Sequence, residues 1–406
     1  MKIMLIVNTD GALYRFRKPI IKALVAEGHE VVTLSSQSTY FEDLIALGVR
    51  PRALEFFRHS VSPFQNISLG VRIFRCIREE APDVVHNFTH KPAIFGSIAA
   101  WLCKTPGLFV TITGLGTLFS NEDIKSKTLR FLLLIQYRIA LRFVTNVFFQ
   151  NPDDMEMFVK LKIVDARKAI LTNGSGIDLE EFFMPTIEEV EASRQHLGKC
   201  IGLDVGARKV VLFTARGVRE KGLFDFYEAA RRIHTLEPGK YAFVHLGLID
   251  TASSGFISNE SVMEYARNCG VSYLGFVENI RDYIVASDIM VLPSVYREGT
   301  PRSLIEALAL GKPIVTTDTP GCRETVVDGW NGFLCEGGNA SSLVSKILMI
   351  DEKFLHLANH RSRWLCQTKY DSNLLVGTTL ERYEASLGKR QILSTKGAAK
   401  SLPHDA

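Results

Sequence analysis

Short runs of consecutive apolar residues alternate with longer amphipathic stretches along the whole chain. Such runs are typical of strands buried on both faces of a parallel sheet, and a 3.6-residue period between two of them predicts a connecting helix. In the first half the pattern predicts strands at Met4–Val7, Val31–Leu34, Val84–His86, Leu108–Ile112, Val147–Gln150 and Ala169–Leu171. In the second half it predicts strands at Val210–Ala215, Ala242–Leu246, Val271–Leu274, Ile289–Leu292 and Ile314–Thr317. The alternation predicts an α/β protein with doubly wound parallel sheets.

The length of 406 residues exceeds what one hydrophobic core usually serves, so we expect two domains. The glycine-rich stretch Asn173–Asp178 breaks the strand and helix pattern, and the charged segment Glu188–Arg208 leads into the second series. These features predict a first domain over 1–180 and a second over 205–365, with the boundary near 180–205. Residues 389–406 are polar and rich in Lys, Ser and Ala, which predicts a disordered tail.

Composition favours a globular protein of the cytoplasm. Hydrophobic residues make up 46% and charged residues 23% of the chain, and no stretch approaches the ~18 uninterrupted apolar residues of a spanning helix. The apolar run at the N-terminus is short and is followed by Asn-Thr-Asp without a small-residue cleavage site, so it predicts a buried strand. The seven cysteines are scattered without a Cys-x-x-Cys pair, as expected in a reducing compartment.

The charge is unevenly distributed. Residues 1–150 hold 18 Lys and Arg against 11 Asp and Glu, a net +7, whereas the remainder holds 30 against 33, a net −3. Within the first half, the segment Lys125–Phe149 is basic and amphipathic, with Arg130, Arg138 and Arg142 near one face. Such a helix can lie on an anionic membrane surface, or it can pack its apolar side on its own sheet, and both interpretations stay open. A nucleic-acid partner is not expected, because no basic and aromatic platform accompanies the charge.

The richest stretch for chemistry is residues 293–311, which place two glutamates eight residues apart around a turn. Glu298 precedes Gly299, Thr300 and Pro301, a composition that predicts a capped helix start with Pro301 at the first helical position. Glu306 would lie inside that helix and reach back over its first turns. Because a helix N-terminus favours phosphate, and carboxylates suit sugar hydroxyls, the sequence predicts a sugar-nucleotide site.

The run from Tyr296 to Ala307, with its Glu-x7-Glu spacing, resembles the signature of the family-4 retaining glycosyltransferases of the GT-B fold. The resemblance implies two Rossmann-like domains that face each other across a cleft, with a C-terminal helix over 371–388 returning to the first domain. It also implies roles for the motif: Glu298 holds hydroxyls of the donor sugar and Glu306 holds the ribose. The helix mouth from Gly299 to Ser303, with Thr300 and Arg302, would contact the diphosphate.

A second motif, Arg216-Gly-Val-Arg-Glu-Lys221-Gly, follows a predicted strand. By the same resemblance, Arg216 and Lys221 match the basic pair that these enzymes use for the donor diphosphate. A guanidinium fork and an ammonium can stabilise a leaving diphosphate without a metal ion. The alternative is an exposed charged loop, and Arg219 is a nearby competitor for the same role.

Nothing in the sequence favours a metal site. The Asp-x-Asp motif of metal-dependent sugar-nucleotide transferases is absent from the chain. His86 and His90 are four residues apart, but no Glu lies between them and they follow a strand, which favours a packing or crevice-lining role over zinc binding.

Three further donor contacts rest on the resemblance. Thr113 stands where many relatives carry a His that helps to hold the transferring sugar, and Gly114 and Gly116 either make close contacts or only form a tight turn. Gly11, in the predicted loop Asn8–Arg17, matches a glycine that approaches the donor phosphate. Val277 would contact the nucleotide base through its backbone.

The function that follows is a metal-independent, retaining glycosyltransferase that needs no cofactor besides its UDP-sugar donor. It would move a hexose or N-acetylhexosamine to a saccharide carried on a polyprenyl diphosphate, in the cytoplasm or peripherally on the inner face of the plasma membrane. A UDP-sugar epimerase of the same fold is the first alternative, with His86, His90 and Asp10 as its acid and base candidates. A non-catalytic sugar-nucleotide-binding protein, suggested by Thr113, is the second.

Overall fold

The computed structural model describes residues 1–57, 62–120, 123–249 and 258–398. The strands are β1 (Lys2–Thr9), β2 (Glu30–Ser36), β3 (Arg50–Ala53), β4 (Val84–Phe88), β5 (Gly107–Ile112), β6 (Asn146–Phe149), β7 (Ala169–Leu171), β8 (Lys209–Thr214), β9 (Tyr241–Leu246), β10 (Val271–Gly275), β11 (Ile289–Leu292), β12 (Ile314–Thr317) and β13 (Gly332–Cys335). The α-helices are α1 (Asp10–Ala26), α2 (Phe41–Ala46), α3 (Pro63–Glu80), α4 (Ser97–Leu102), α5 (Thr117–Ser120), α6 (Ile124–Leu141), α7 (Pro152–Lys160), α8 (Ile187–Ile201), α9 (Leu223–Leu236), α10 (Asn259–Asn268), α11 (Ile280–Ala286), α12 (Arg302–Ala309), α13 (Ala340–Leu348), α14 (Glu352–Lys369) and α15 (Ser372–Ala398). A π-helical turn at Pro92–Gly96 leads into α4, and 3-10 turns form at Arg219–Lys221 and Arg323–Thr325.

The chain divides into two compact units. The first holds Met1–Gly114, Asp123–Gly176 and the chain from Ser372 onward, and the second holds Leu115–Glu122 and Ile177–Asp371. The chain therefore enters the second unit at Ile177, earlier than the range of 180–205 expected from the sequence.

The first unit contains a seven-stranded parallel sheet in the order β3-β2-β1-β4-β5-β6-β7. The central strands β4 and β5 are buried along their whole length, as the sequence pattern predicts for a sheet covered on both faces, although β4 also contains His86 and Asn87. The pattern missed β3, whose sequence Arg-Pro-Arg-Ala is polar and contains a proline. An edge strand tolerates both, because one of its sides has no sheet partner.

The C-terminal helix α15 belongs to this first unit. Tyr383 of α15 is fully buried in the core, where its hydroxyl hydrogen-bonds His86 Nδ1 at 2.6 Å. The prediction of a disordered tail over 389–406 is wrong for its first part, because α15 continues to Ala398. Lys, Arg, Gln, Leu and Ala in that part are good helix formers that extend an existing helix. Residues 399–406 lie outside the described residues.

The sequence predicts a loop over Asn8–Arg17, whereas the structure has the end of β1 and the start of α1 there. β1 continues through Thr9, whose hydroxyl caps α1 by accepting from Ala12 N at 3.3 Å. Asp10 is fully buried and accepts hydrogen bonds from the Gly11 and Ser38 backbone N–H groups, both at 2.6 Å. Thr and Asp are common in loops, which favours the loop prediction, but they also favour the first positions of a helix.

The second unit contains a six-stranded parallel sheet in the order β10-β9-β8-β11-β12-β13. The pattern missed β13, a four-residue edge strand that begins with glycine and is too short to show a period. Two doubly wound parallel sheets with interleaved helices confirm the predicted fold class. Strand order reverses between β8 and β11, so the loops that follow these two strands meet at the carboxyl edge of the sheet, the usual ligand position in such sheets.

Candidate active site

The loops after β8 and β11 are joined by hydrogen bonds at this switch point. Glu220 O accepts from Val295 N at 2.9 Å and from the Ser294 hydroxyl at 3.3 Å. Gly222 ends the first loop with φ +79°, and a Cβ at this position would lie 2.2 Å from Pro293 O. Only glycine fits this close approach, so the geometry of the β8 loop is tied to that of the glutamate loop.

An ion pair between Lys221 and Glu298 occupies the junction of the two loops. The Lys221 ammonium donates to Glu298 Oε1, and the Ser294 hydroxyl donates to the same oxygen at 3.2 Å. The Lys221 and Glu298 side chains are only 13% and 11% exposed, and the ammonium lies 5.1 Å from the centre of the Tyr296 ring. The structure thus brings together two predicted site residues that are 77 positions apart in the sequence.

Helix α12 begins directly after this pair. Pro301 is its N-cap in extended conformation, and the helix starts at Arg302, one residue later than predicted. The Pro301 side chain has no acceptor for the N–H groups of the first turn, a feature that suits an anion ligand there. Glu306 reaches back toward the helix start, where Arg302 Nε donates to its Oε1 at 3.0 Å. The predicted direction of Glu306 is therefore correct.

Thr300 does not act as the predicted cap but is a buried residue immediately before Pro301. Gly299 precedes it, and Gly299 O would lie 2.4 Å from a Cβ placed on Gly321. Ser303 follows Arg302 in the first turn of α12. The predicted residues Glu298 to Glu306 therefore lie in the loop that follows β11 and in the first turns of α12.

Arg216 lies in the loop directly after β8, on the strand side of Lys221. The preceding carbonyl, Ala215 O, is held by His245 Nε2 at 3.3 Å, while His245 Nδ1 lies 2.8 Å from the Tyr227 hydroxyl. Burial lowers the pKa of His245 to about 4, so its imidazole is neutral. A neutral imidazole that donates a hydrogen bond to a carbonyl through Nε2 can accept one at Nδ1, here from the Tyr227 hydroxyl. Arg219, the competing cation, instead extends over the Phe224 ring at 4.7 Å.

The remaining predicted donor residues belong to other elements of the chain, and their contact with a donor stays a prediction. Val277 follows β10, which is separated from β8 by β9. Gly11 lies in the first turn of α1, where a Cβ would meet Tyr40 Cδ2 at 3.2 Å, and Thr113 follows β5, both in the first unit. Gly116, with φ +73°, donates its N–H to Arg297 O in the glutamate loop at 3.1 Å. Gly116 thus both turns the chain and contacts the site.

His86 and His90 of the first unit are packing residues. His86 is buried, with Nδ1 against the Tyr383 hydroxyl and Nε2 2.7 Å from Thr111 Oγ1, and burial holds its pKa well below the ordinary value. His90 Nδ1 hydrogen-bonds the Tyr137 hydroxyl, and burial lowers its pKa to about 4. A crevice-lining role for His86 is therefore wrong, because its ring faces the core. Within residues 1–57, 62–120, 123–249 and 258–398, no group of three or more His, Cys, Asp or Glu is placed to hold a metal ion.

The sequence predicts no site role for three residues that contact the site in the structure: Ser294, Tyr296 and His245. Ser294 and Tyr296 lie in the glutamate loop itself, so their position after β11 was a usable signal. His245 is the fifth residue of a buried strand, and its contact with the β8 loop becomes visible only once β8 and β9 are paired.

Comparison with known proteins identifies the family. Residues 2–151 match the family described as Glycosyl transferase 4-like, and residues 208–352 match Glycosyl transferases group 1. The chain is 31% identical over 387 residues to N,N'-diacetylbacillosaminyl-diphospho-undecaprenol alpha-1,3-N-acetylgalactosaminyltransferase of Campylobacter jejuni, covering 95% of this chain and 98% of the relative. The chain belongs to the group 1 glycosyltransferases. The resemblance to family-4 enzymes is thereby confirmed.

This glycosyltransferase has further relatives of the same kind. It is 25% identical over 347 residues to the Escherichia coli UDP-Gal:alpha-D-GlcNAc-diphosphoundecaprenol alpha-1,3-galactosyltransferase, covering 83% of this chain and 84% of that relative. Its fold is similar to that of Anabaena HepE in complex with UDP and glucose, with a TM-score of 0.75, 18% identity, and coverage of 95% and 100% of the two chains. The GT-B fold of the glycosyltransferase is thus established.

Proposed function

We propose that the protein is a retaining glycosyltransferase that moves a hexose or N-acetylhexosamine from a UDP-sugar to a saccharide carried on a polyprenyl diphosphate. The observation on which the proposal rests is the Lys221–Glu298 pair beside the start of α12, at the switch point of the second sheet. A cation, a carboxylate and helix N–H groups at one edge match the diphosphate and the hydroxyls of a sugar nucleotide. The Campylobacter and Escherichia coli relatives are named for undecaprenol-diphosphate-linked acceptors, which supports the acceptor class.

In this proposal each predicted side chain has one task. Arg216 and Lys221 hold the donor diphosphate together with the backbone at the start of α12. Glu298 accepts hydrogen bonds from hydroxyls of the donor sugar, and Glu306 accepts from the ribose. Arg302 then keeps the Glu306 carboxylate directed toward the helix start, as it does at 3.0 Å in the structure.

The proposed reaction needs no protein nucleophile. The acceptor hydroxyl oxygen forms a bond to the anomeric carbon on the face from which the diphosphate leaves. The bond between that carbon and the β-phosphate oxygen breaks with its electron pair, and the departing oxygen takes the proton of the hydroxyl. The negative charge that develops on UDP is stabilised by Arg216 and Lys221, so this scheme assigns no step to a metal ion or to another cofactor.

The same proposal places the protein in the cytoplasm, peripherally on the inner face of the plasma membrane, because a polyprenyl diphosphate acceptor is embedded in a bilayer. The basic first half of the chain suits the anionic surface of such a membrane. In the part of the chain that the structure describes, no helix is both long and apolar enough to cross a membrane.

The epimerase alternative finds less support in the structure. Its acid and base candidates Asp10 and His86 are buried and engaged in hydrogen bonds, and His90 is bound to Tyr137. A non-catalytic binding protein would share the donor site and differ only in turnover. No specific observation favours either alternative over transfer.

A panel of nucleotides and sugar nucleotides, with and without EDTA, tests the donor site by thermal stabilisation. We expect UDP and one UDP-sugar to raise Tm equally in both conditions, since a ligand that binds only the folded state stabilises it. The selected donor is then incubated with a polyprenyl-diphosphate-linked saccharide, and NMR of the product reports the anomeric configuration. Stabilisation that EDTA abolishes would contradict metal independence, and an inverted product would contradict retention. An acceptor-independent change of the donor sugar would favour the epimerase.

A further inference from the structure

Helix α6 presents an apolar face to solvent. Five apolar side chains on this helix are between 40% and 84% exposed: Ile124, Phe131, Leu132, Ile135 and Ile139. Their spacing of 7, 8, 11 and 15 residues from the first places them on one side of the helix. The opposite side contains Tyr137, Ala140 and Leu141, which are buried in the first unit. We call the five exposed residues the outer stripe of α6.

The outer stripe is the reverse of what a helix packed on a sheet usually shows. A surface helix normally buries its apolar side and exposes polar residues. Here both the buried side and the solvent-facing side contain apolar residues, so the interpretation that these residues only pack against the protein accounts for only one of the two sides. A contiguous exposed apolar patch of this kind marks a contact surface.

Two further helices of the first unit also expose apolar side chains. Helix α4 contacts both α3 and α6. Its end exposes Trp101 and Leu102, and Trp101 stacks on Phe143, just beyond α6, with ring centres 4.1 Å apart. The first half of α3 exposes Phe64 and Ile67, the former 85% exposed.

The charges around the patch indicate the chemistry of its partner. Helix α6 contains Lys125, Lys127, Arg130 and Arg138 and no acidic residue, and Lys125 and Lys127 are exposed beside the outer stripe. A stripe of Ile, Leu and Phe flanked by lysines is the pattern of a helix that lies in the interface of an anionic bilayer. Trp101 also suits the interface, because its ring has an apolar body and a polar N–H.

We propose that the outer stripe of α6, with the exposed ends of α3 and α4, is a docking surface for an anionic phospholipid bilayer. The inference rests on the proposed function, because an enzyme whose acceptor is anchored in a bilayer must work at that surface. It goes further by naming the helices that enter the lipid. The apolar side chains insert among the acyl chains while Lys125 and Lys127 pair with phosphate groups.

Co-sedimentation with vesicles of phosphatidylcholine and phosphatidylglycerol tests the surface. We expect the full-length protein to bind these vesicles, and Ile135→Glu to lower the partition coefficient on the order of tenfold or more. The matched control is Ile187→Glu in α8 of the second unit, because Ile187 is 76% exposed and lies outside the patch. Its partition coefficient should stay within about twofold of the wild type, as expected for a surface substitution that touches no lipid.

The double substitution Lys125→Gln and Lys127→Gln tests the electrostatic part without touching the stripe. We expect weaker binding to phosphatidylglycerol vesicles and an unchanged, low affinity for pure phosphatidylcholine. Salt should weaken wild-type binding for the same reason. Equal binding of the wild type and Ile135→Glu would overturn the proposal. A concentration-dependent dimer in sedimentation velocity that Ile135→Glu dissolves would also overturn it, in favour of a second copy of the chain as the partner.

The UDP-induced rise in Tm, measured on the same preparations, separates this proposal from the proposed function. A wild type that binds UDP but no vesicles refutes only the lipid surface. An absent UDP response with intact vesicle binding refutes only the donor site. Circular dichroism of each variant confirms that the exposed substitutions leave the fold unchanged.

Discussion

Replacing Lys221 by Met separates the structural role of the Lys221–Glu298 pair from its role in transfer. Loss of the ammonium removes the positive charge beside the Glu298 carboxylate, which is only 11% exposed and also lies 3.2 Å from the Ser294 hydroxyl. Removing one partner of a buried ion pair costs about 3–5 kcal/mol, and the residual exposure places our expectation at about 3 kcal/mol. For a unit of this size such a loss lowers Tm by roughly 6–12 °C. Because the ammonium also stabilises the departing UDP, kcat should fall about 10²–10³-fold.

The control is Glu298→Gln, alone and combined with Lys221→Met. The amide keeps an oxygen acceptor for Ser294 but carries no charge, so the double variant has no unpaired charge at the junction. We expect it to recover about 2 kcal/mol relative to the sum of the single variants, measured by urea unfolding. Its turnover, measured as UDP release in the presence of acceptor, should stay at least about 100-fold below that of the wild type. A double variant that regains both stability and turnover would show that Lys221 only neutralises Glu298, and would refute the catalytic assignment.

Three other substitutions test separate features. Glu306→Gln should weaken UDP binding about tenfold by calorimetry while changing saturated turnover little, since the ribose contact is the same in the ground and transition states; a fall in kcat alone would contradict this role. Gly222→Ala places a Cβ 2.2 Å from a backbone oxygen of the glutamate loop, and it should lower the free energy of unfolding by about 2–4 kcal/mol and remove most of the activity. The control Gly239→Ala, with φ +75° but nothing within 4 Å, should lower the free energy of unfolding by only about 1 kcal/mol. Equal losses of stability in the two variants would argue against the close approach. The hydrogen bond from Arg50 holds the pKa of Glu80 at about 2, below the value of 4.5 that it has when unfolded, so its stabilisation is complete above pH 4.5 and is lost as the pH falls toward 2. Urea unfolding of Glu80→Gln should show a deficit of about 2–3 kcal/mol at pH 7 that closes over this window, and a deficit independent of pH would refute the assignment.

The inner strands of both sheets could be predicted because each is mostly apolar, and burial on both faces favours such a composition, although β4 and β9 each include a buried histidine. Edge strands need not be apolar on both faces, so the sequences of Arg50–Ala53 and Gly332–Cys335 do not show the apolar run that predicts a strand. The motif predicted that Glu298 precedes a helix and that Glu306 lies inside it, and the structure agrees, because both positions depend only on local sequence; their roles toward a donor stay predictions. The partner of Glu298 could not be read from spacing, because Lys221 is brought to it by the pairing of β8 with β11.

Helix α6 also shows a feature that local sequence leaves open and tertiary packing decides. Periodicity in the sequence shows that apolar residues share a side, but the sequence of a helix with two apolar sides does not reveal which of them is buried. Tertiary packing decides this, and it buries Tyr137 while leaving Ile135 outside. Packing against the protein therefore accounts for one apolar side of the helix, and contact of the other side with a membrane stays a prediction.

The return of α15 to the first unit has a consequence for biosynthesis. The hydrogen bond between His86 and Tyr383 joins positions that are 297 residues apart, and the core of the first unit contains Tyr383. During translation the first unit therefore cannot complete its core until the second unit and α15 have been synthesised. A gene fragment that stops at residue 176 would encode every strand of the first sheet and still lack the helix that covers it, so the protein cannot be divided at its domain boundary by a single cut.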